Sequence, residues 1–104
     1  MATLQFNWIT CLDQQEIGHD ELYMTFNGEK ISLSSMAQGE TQYLLSSQYP
    51  FGESVLLNLF EDDGNHWYNR DDFIDGYKIT DSPRHLTLDF IGSGAHYQMD
   101  VDIL

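Results

Sequence analysis

Apolar and polar residues alternate along most of this chain. Leu4, Phe6 and Trp8 are separated by Gln5 and Asn7, Leu22, Met24 and Phe26 by Tyr23 and Thr25, and Val55, Leu57 and Leu59 by Leu56 and Asn58. The last third repeats the pattern. Leu86, Leu88 and Phe90 alternate with Thr87 and Asp89, and Tyr97, Met99, Val101 and Ile103 alternate with Gln98, Asp100 and Asp102. A period of two sends successive side chains to opposite faces of a strand, so these segments read as half-buried antiparallel strands. The pattern places Leu4, Phe6, Trp8, Leu57, Leu59, Leu88, Phe90, Met99 and Val101 inside, and Asp100 and Asp102 on the solvent face.

Turn residues punctuate the alternation. Asn27-Gly28 is the favoured pair for a two-residue type I′ hairpin, which folds 22–27 back on 30–34. Ser34 to Glu40, Tyr49-Pro50-Phe51-Gly52, Asp81-Ser82-Pro83 and Gly92-Ser93-Gly94 read as the other connections. No long segment carries a helical stripe. Short strands at regular spacing predict an all-β fold of about eight strands, arranged as a two-sheet antiparallel β-sandwich, with a small barrel as the alternative.

Length makes this a single-domain prediction: 104 residues suit one core and leave no room for two, so residues 1–104 form one unit. An aromatic share of 13% within a hydrophobic share of 41% argues for an aromatic-rich core rather than disorder. Charge changes the picture more. Lys30, Arg70, Lys78 and Arg84 face seventeen acidic residues, for a formal net charge of -13. No basic face can be assembled from four cations, which excludes direct nucleic-acid binding and a polybasic membrane anchor. Cys11 is the single cysteine; it makes no internal disulfide and reads as an ordinary strand residue. The start, MATLQFNWIT, shows no basic region followed by an apolar run, and no apolar stretch is long enough to span a membrane as a helix. Neither classical secretion nor membrane spanning is expected.

Ten of the seventeen carboxylates fall into two short windows. Asp13, Glu16, Asp20 and Glu21 occupy one; Glu61, Asp62, Asp63, Asp71, Asp72 and Asp75 occupy the other. Crowded like charges resist ionising together, so a fold that gathers them calls for a cation or a basic partner. Calcium is the natural cation, because it takes six to eight oxygen ligands from flexible loops. The windows do not make an EF-hand: with Gly64 as the central glycine, Leu59 takes the first ligand position and Arg70 the last.

The segment Asp13-Gln-Gln-Glu16-Ile-Gly18-His19-Asp20-Glu21-Leu22-Tyr23 resembles the first calcium loop of the C-two domain, the second conserved region of protein kinase C, in which an Asp, a Gly and an Asp-Pro-Tyr recur. Leu57-Asn58-Leu59-Phe60-Glu61-Asp62-Asp63, followed by Asp71-Asp72-Phe73-Ile74-Asp75-Gly76, resembles that family's third loop in the same chain order. The resemblance implies an eight-stranded sandwich whose loops at one end hold calcium, often to dock on phospholipid or protein. It implies Asp13 and Asp20 as first-loop ligands and Glu61, Asp63 and Asp72 as third-loop ligands, with Glu16, Asp71 and Asp75 in reserve. Leu22 replaces the usual proline, Glu61 stands where Asp is typical, and Asp75 is inserted before Gly76.

Trp67 and Tyr68 sit inside the long acidic window. Such a pair can insert at a lipid interface, stack on a sugar, fill a protein pocket, or fold back over the sandwich edge. No nucleophile elbow, phosphate loop or dinucleotide fingerprint occurs, and His19, His66, His85 and His96 are scattered, so the expectation is a binding module rather than an enzyme. The expected partners are calcium and, through it, a membrane, glycan or protein. The rival expectation is a metal-free acidic protein of inhibitor or immunity type that complements a basic surface.

Overall fold

The computed structural model describes residues 1–14, 21–62 and 72–104. Eight strands run β1 Ala2–Asp13, β2 Leu22–Phe26, β3 Glu29–Ser32, β4 Thr41–Phe51, β5 Ser54–Glu61, β6 Asp72–Thr80, β7 Arg84–Gly92 and β8 Ala95–Ile103. They form two four-stranded sheets, β4-β1-β8-β7 and β3-β2-β5-β6. Every neighbouring pair is antiparallel. This is the predicted two-sheet sandwich rather than a barrel.

Alternation explains the core. Leu22, Met24 and Phe26 of β2, Val55, Leu57 and Leu59 of β5, and Tyr97, Met99, Val101 and Ile103 of β8 all face inward and are buried. Phe6, Phe26, Tyr49 and Phe51 pack edge-on or tilted across the two sheets, with neighbouring ring centroids 5.6 to 6.4 Å apart. These contacts add to the burial of large apolar area, roughly 0.5–1.5 kcal/mol per ring pair.

Trp8 breaks the pattern. The register of β1 slips between Phe6 and Trp8 against both β4 and β8, so one extra residue, Asn7, reverses the alternation. Ile9 and Cys11 enter the core in place of Trp8, which lies half-buried on the outer face. Opposite the slip, Leu45 and Ser46 of β4 take left-handed φ values of 57° and 55°, and Leu45 is 89% exposed. A non-glycine residue in that region costs about 1–2 kcal/mol.

The hairpins follow their turn residues. Asn27 and Gly28 have φ of 50° and 85°, the type I′ geometry that joins β2 to β3. Ser93 and Gly94, at 50° and 79°, do the same between β7 and β8. Around Pro50 the strand continues to Phe51 instead of turning, with Pro50 opposite Thr3. β4 is an edge strand, where a residue lacking an N–H leaves no ladder bond unmade.

One long side of the sandwich is laced by β6 and β7. Asp75 Oδ2 accepts the Ile91 amide at 3.1 Å, Ser93 Oγ donates to the Phe73 carbonyl at 3.1 Å, and the Tyr77 hydroxyl donates to the Asp89 carbonyl. The strands approach so closely that a Cβ on Gly92 would run into the Ile74 carbonyl.

Candidate functional site

Strand direction brings the acidic segments together. β1 ends and β2 begins at the same end of the sandwich where β5 ends and β6 begins: Leu22 is opposite Glu61, and Glu61 is opposite Asp72. The Asp62 amide donates to the Glu21 carbonyl at 2.7 Å, joining the two acidic segments directly. The connection from β3 to β4 is stitched to the same end. Its Gly39 amide donates to the Cys11 carbonyl (2.8 Å), the Glu40 carbonyl accepts from the Cys11 amide (2.9 Å), and the Gln38 amide donates to Gln14 Oε1 (2.5 Å).

Glu61 holds a special place there. It continues the inward stripe of Val55, Leu57 and Leu59 by one more step of two, so its carboxylate points between the sheets where an aliphatic residue would otherwise sit. It is 2% exposed. A buried carboxylate is costly unless charge or hydrogen bonds compensate it. Asp72 is half-buried across from it, and Asp13, at the end of β1, is exposed and accepts the following Gln14 amide at 3.0 Å. Glu21 and Asp62 line a shallow cleft of about 200 Å³ at the same end, with Lys30 on its wall. Lys30 Nζ lies 4.3 Å from the Tyr23 ring centroid.

The sequence-predicted residues thus divide. Asp13, Glu61 and Asp72 converge on one end. Asp75 has both carboxylate oxygens bonded to backbone amides, Gly76 at 2.8 Å and Ile91 at 3.1 Å, where it ties the sheets. Asp20, Asp63, Glu16, Asp71, Trp67 and Tyr68 lie outside the described residues. Among the described residues, no group of three or more His, Cys, Asp and Glu side chains is drawn together tightly enough to hold a metal ion. The donors at this end are carboxylate and carbonyl oxygens, which suit a hard cation in kind. Asp13, Glu61 and Asp72 alone do not complete its shell; the predicted set needs Asp20 and Asp63 as well.

A second polar cluster escaped the sequence reading. On the outer face of β4-β1-β8-β7, hydrogen bonds cross all four strands: Gln48 Nε2 to Gln5 Oε1 (2.9 Å), Gln5 Nε2 to Asn7 Oδ1 (3.0 Å), and Asn7 Nδ2 to both Asp100 Oδ2 (2.9 Å) and Asp102 Oδ2 (3.0 Å). From β7, His85 Nε2 lies 2.5 Å from Asp100 Oδ1, with Thr87 Oγ1 at 3.4 Å. Asp100, predicted to face solvent, is therefore buried at 7% exposure beneath its neighbours' side chains. Burial pushes its carboxyl up, but the hydrogen bonds from Asn7, His85 and Thr87 and the charge on His85 outweigh that and leave it below the ordinary 3.8. His85 moves the other way: the hydrogen bond to Asp100 raises it above 6.5 against a smaller desolvation, with the charges of Asp100 and Asp102 adding.

No protein-family model matches the chain, and no curated protein does. Among solved structures, a chain comprising the paired C-two domains, A and B, of extended-synaptotagmin 2 superposes on 98% of this chain with a TM-score of 0.61 and 11% identity. This chain spans 39% of that one. At such low identity the likeness speaks for fold alone, and it agrees with the resemblance read from the acidic windows: this chain is an eight-stranded sandwich of the C-two fold.

Proposed function

We propose that this domain is a non-enzymatic calcium-binding module, which attaches to a membrane, glycan or protein partner when calcium occupies its acidic end. The observation that carries the reading is Glu61: a buried carboxylate on the inward stripe, in register with Asp72, at the end where both acidic segments meet. Asp13, Asp20, Glu61, Asp63 and Asp72 would hold the ion, with Glu16 and Asp71 in reserve. Asp75 would join them only by giving up an amide bond. Bound calcium would supply the positive charge that offsets the mutual repulsion of these carboxylates. Trp67 and Tyr68, in the same window, would meet the partner.

The reading of no catalysis draws support from the most organised titratable pair. His85 presents Nε2 to Asp100 and Nδ1, at 3.7 Å, to Asp102, so neither nitrogen is directed at an incoming substrate.

Isothermal titration of the protein with calcium, beside Glu61→Gln, tests the proposal. Saturable heat that Glu61→Gln weakens by tenfold or more supports it; heat of equal size in both proteins removes Glu61 from the site. A second reading, a metal-free acidic interaction protein, is favoured by one feature. A groove between β3 and β4, about 270 Å³, lined by Met24, Ile31 and Leu44 together with Ser32, Gln42 and Ser47, shares Ser32 and Leu33 with the cleft that carries Glu21 and Asp62. Such a groove suits a peptide of mixed polarity followed by basic residues, which the carboxylates of Glu21 and Asp62 would meet. Tight binding of such a peptide without any calcium response would favour that reading.

A further inference from the structure

We propose that the outer face of β4-β1-β8-β7 carries a pH-operated latch, in which the imidazolium of His85 on edge strand β7 bridges Asp100 and Asp102 of β8 and loosens the start of β7 when it loses its proton. The latch is independent of the acidic end. His85 pairs with Asp102, one residue from the start of β7, whereas Asp13 and Glu61 lie at the opposite end of the strands.

Geometry sets the protonation states. An ionised Asp100 can only accept, so the Nε2 that approaches it at 2.5 Å must carry a proton. Nδ1 faces a second carboxylate, Asp102, at 3.7 Å, so the form that satisfies both contacts is the doubly protonated ring. The remaining donors come from β1 and from β7 itself: Asn7 Nδ2 serves both carboxylates and Thr87 Oγ1 serves Asp100. Arg84, the neighbouring cation, donates to the Ser82 carbonyl and reaches toward Thr80, so it faces the preceding turn. His85 is therefore the cation of this cluster among the described residues. Its side chain is 58% exposed, which leaves it open to exchange protons with water.

The signs are opposite for the two partners. The folded value of His85 lies above its ordinary 6.5, so its stabilisation is complete below 6.5 and is lost as pH rises through the folded value. The folded value of Asp100 lies below its ordinary 3.8, so its stabilisation is present above 3.8 and is lost as pH falls through the folded value. The latch is closed between these limits. Above them, Asp100 and Asp102 share one strand face without a cation between them, and the start of β7 is the segment loosened.

Histidine NMR titration of the intact protein reads the device directly. The His85 ring is expected to titrate above 6.5, and amide exchange in residues 84–88 should quicken through the same midpoint. Between about pH 5.5 and about pH 8.5 the melting temperature should fall, and His85→Gln, which removes contacts to two carboxylates, should take away more of that fall than His96→Gln, which removes a single contact to Asp89. The control matters because a chain of charge -13 gains stability from any added proton. A His85 midpoint at or below 6.5 overturns the proposal, as does a His85→Gln variant with the parent's pH dependence. Both outcomes are separable from calcium binding.

Discussion

Two regions of this molecule gather carboxylates, and they treat them differently. On the outer sheet face, Asp100 and Asp102 sit at fixed strand positions and receive donors from β1 and β7, with the Asn7 bulge aiming one amide at both. At the acidic end, the carboxylates come from the ends of β1, β5 and β6 and from the connections between them. On the outer face, register supplies the donors to a buried carboxylate; at the acidic end, the calcium proposed above would supply the compensating charge. Asp75 stands between the two. It belongs to the acidic window in sequence and to the strand framework in structure.

Removing the acceptor of the strand-borne cluster should have the largest effect. Asp100→Ala leaves Asn7, His85 and Thr87 facing an empty position and should cost about 2 kcal/mol in chemical denaturation, the scale for leaving hydrogen-bond partners of a buried group unsatisfied. A cost below about 0.5 kcal/mol, ordinary for surface changes, would erase the contrast.

Asp75→Ala sharpens the boundary. If Asp75 is a framework residue, the variant loses about 1–2 kcal/mol through its two amide bonds while calcium binding is unchanged. A lost calcium response with unaltered stability would move Asp75 to the other region.

Asp63→Asn with Asp72→Asn should abolish the calcium response and raise the metal-free melting temperature by a few degrees, since like charge is removed. A destabilised metal-free protein would show that these carboxylates are held by the framework after all. The smallest effect belongs to Trp67→Ala with Tyr68→Ala, which should weaken partner binding while changing stability by less than about 0.5 kcal/mol; severe unfolding would identify packed rings.

Strands β2, β3, β5, β7 and β8 and the Asn27-Gly28 hairpin were legible because their signals are local, whereas β4 and β6 carry no clean alternation. A period of two identifies the inner face of β2, β5 and β8, and Asn27-Gly28 fixes a turn by the φ values only such residues take readily. Trp8 was misread because a bulge costs one residue and leaves no mark in composition; the alternation resumes, inverted, at Ile9 and Cys11. Pro50 was read as a turn because proline's exclusion from strands does not hold at an edge, and edges are decided by topology. The acidic windows were visible as clusters of charge, and strand order brings Glu21, Glu61, Asp62 and Asp72 to one end. The Asp100 cluster was not legible, since it needs three strands in register before its donors meet. Its aspartate occupies the outward position that alternation assigns; burial comes from neighbouring side chains, which a single strand's pattern does not contain.

The central claim is that the acidic end takes calcium, and thermal unfolding against free calcium tests it most directly. At about 100 times the dissociation constant, linkage should add roughly 2.7 kcal/mol, which in a domain of this size raises the melting temperature by on the order of ten degrees, with magnesium doing much less because it dehydrates reluctantly. A melting temperature unmoved at millimolar calcium, together with no heat of binding, would contradict the account.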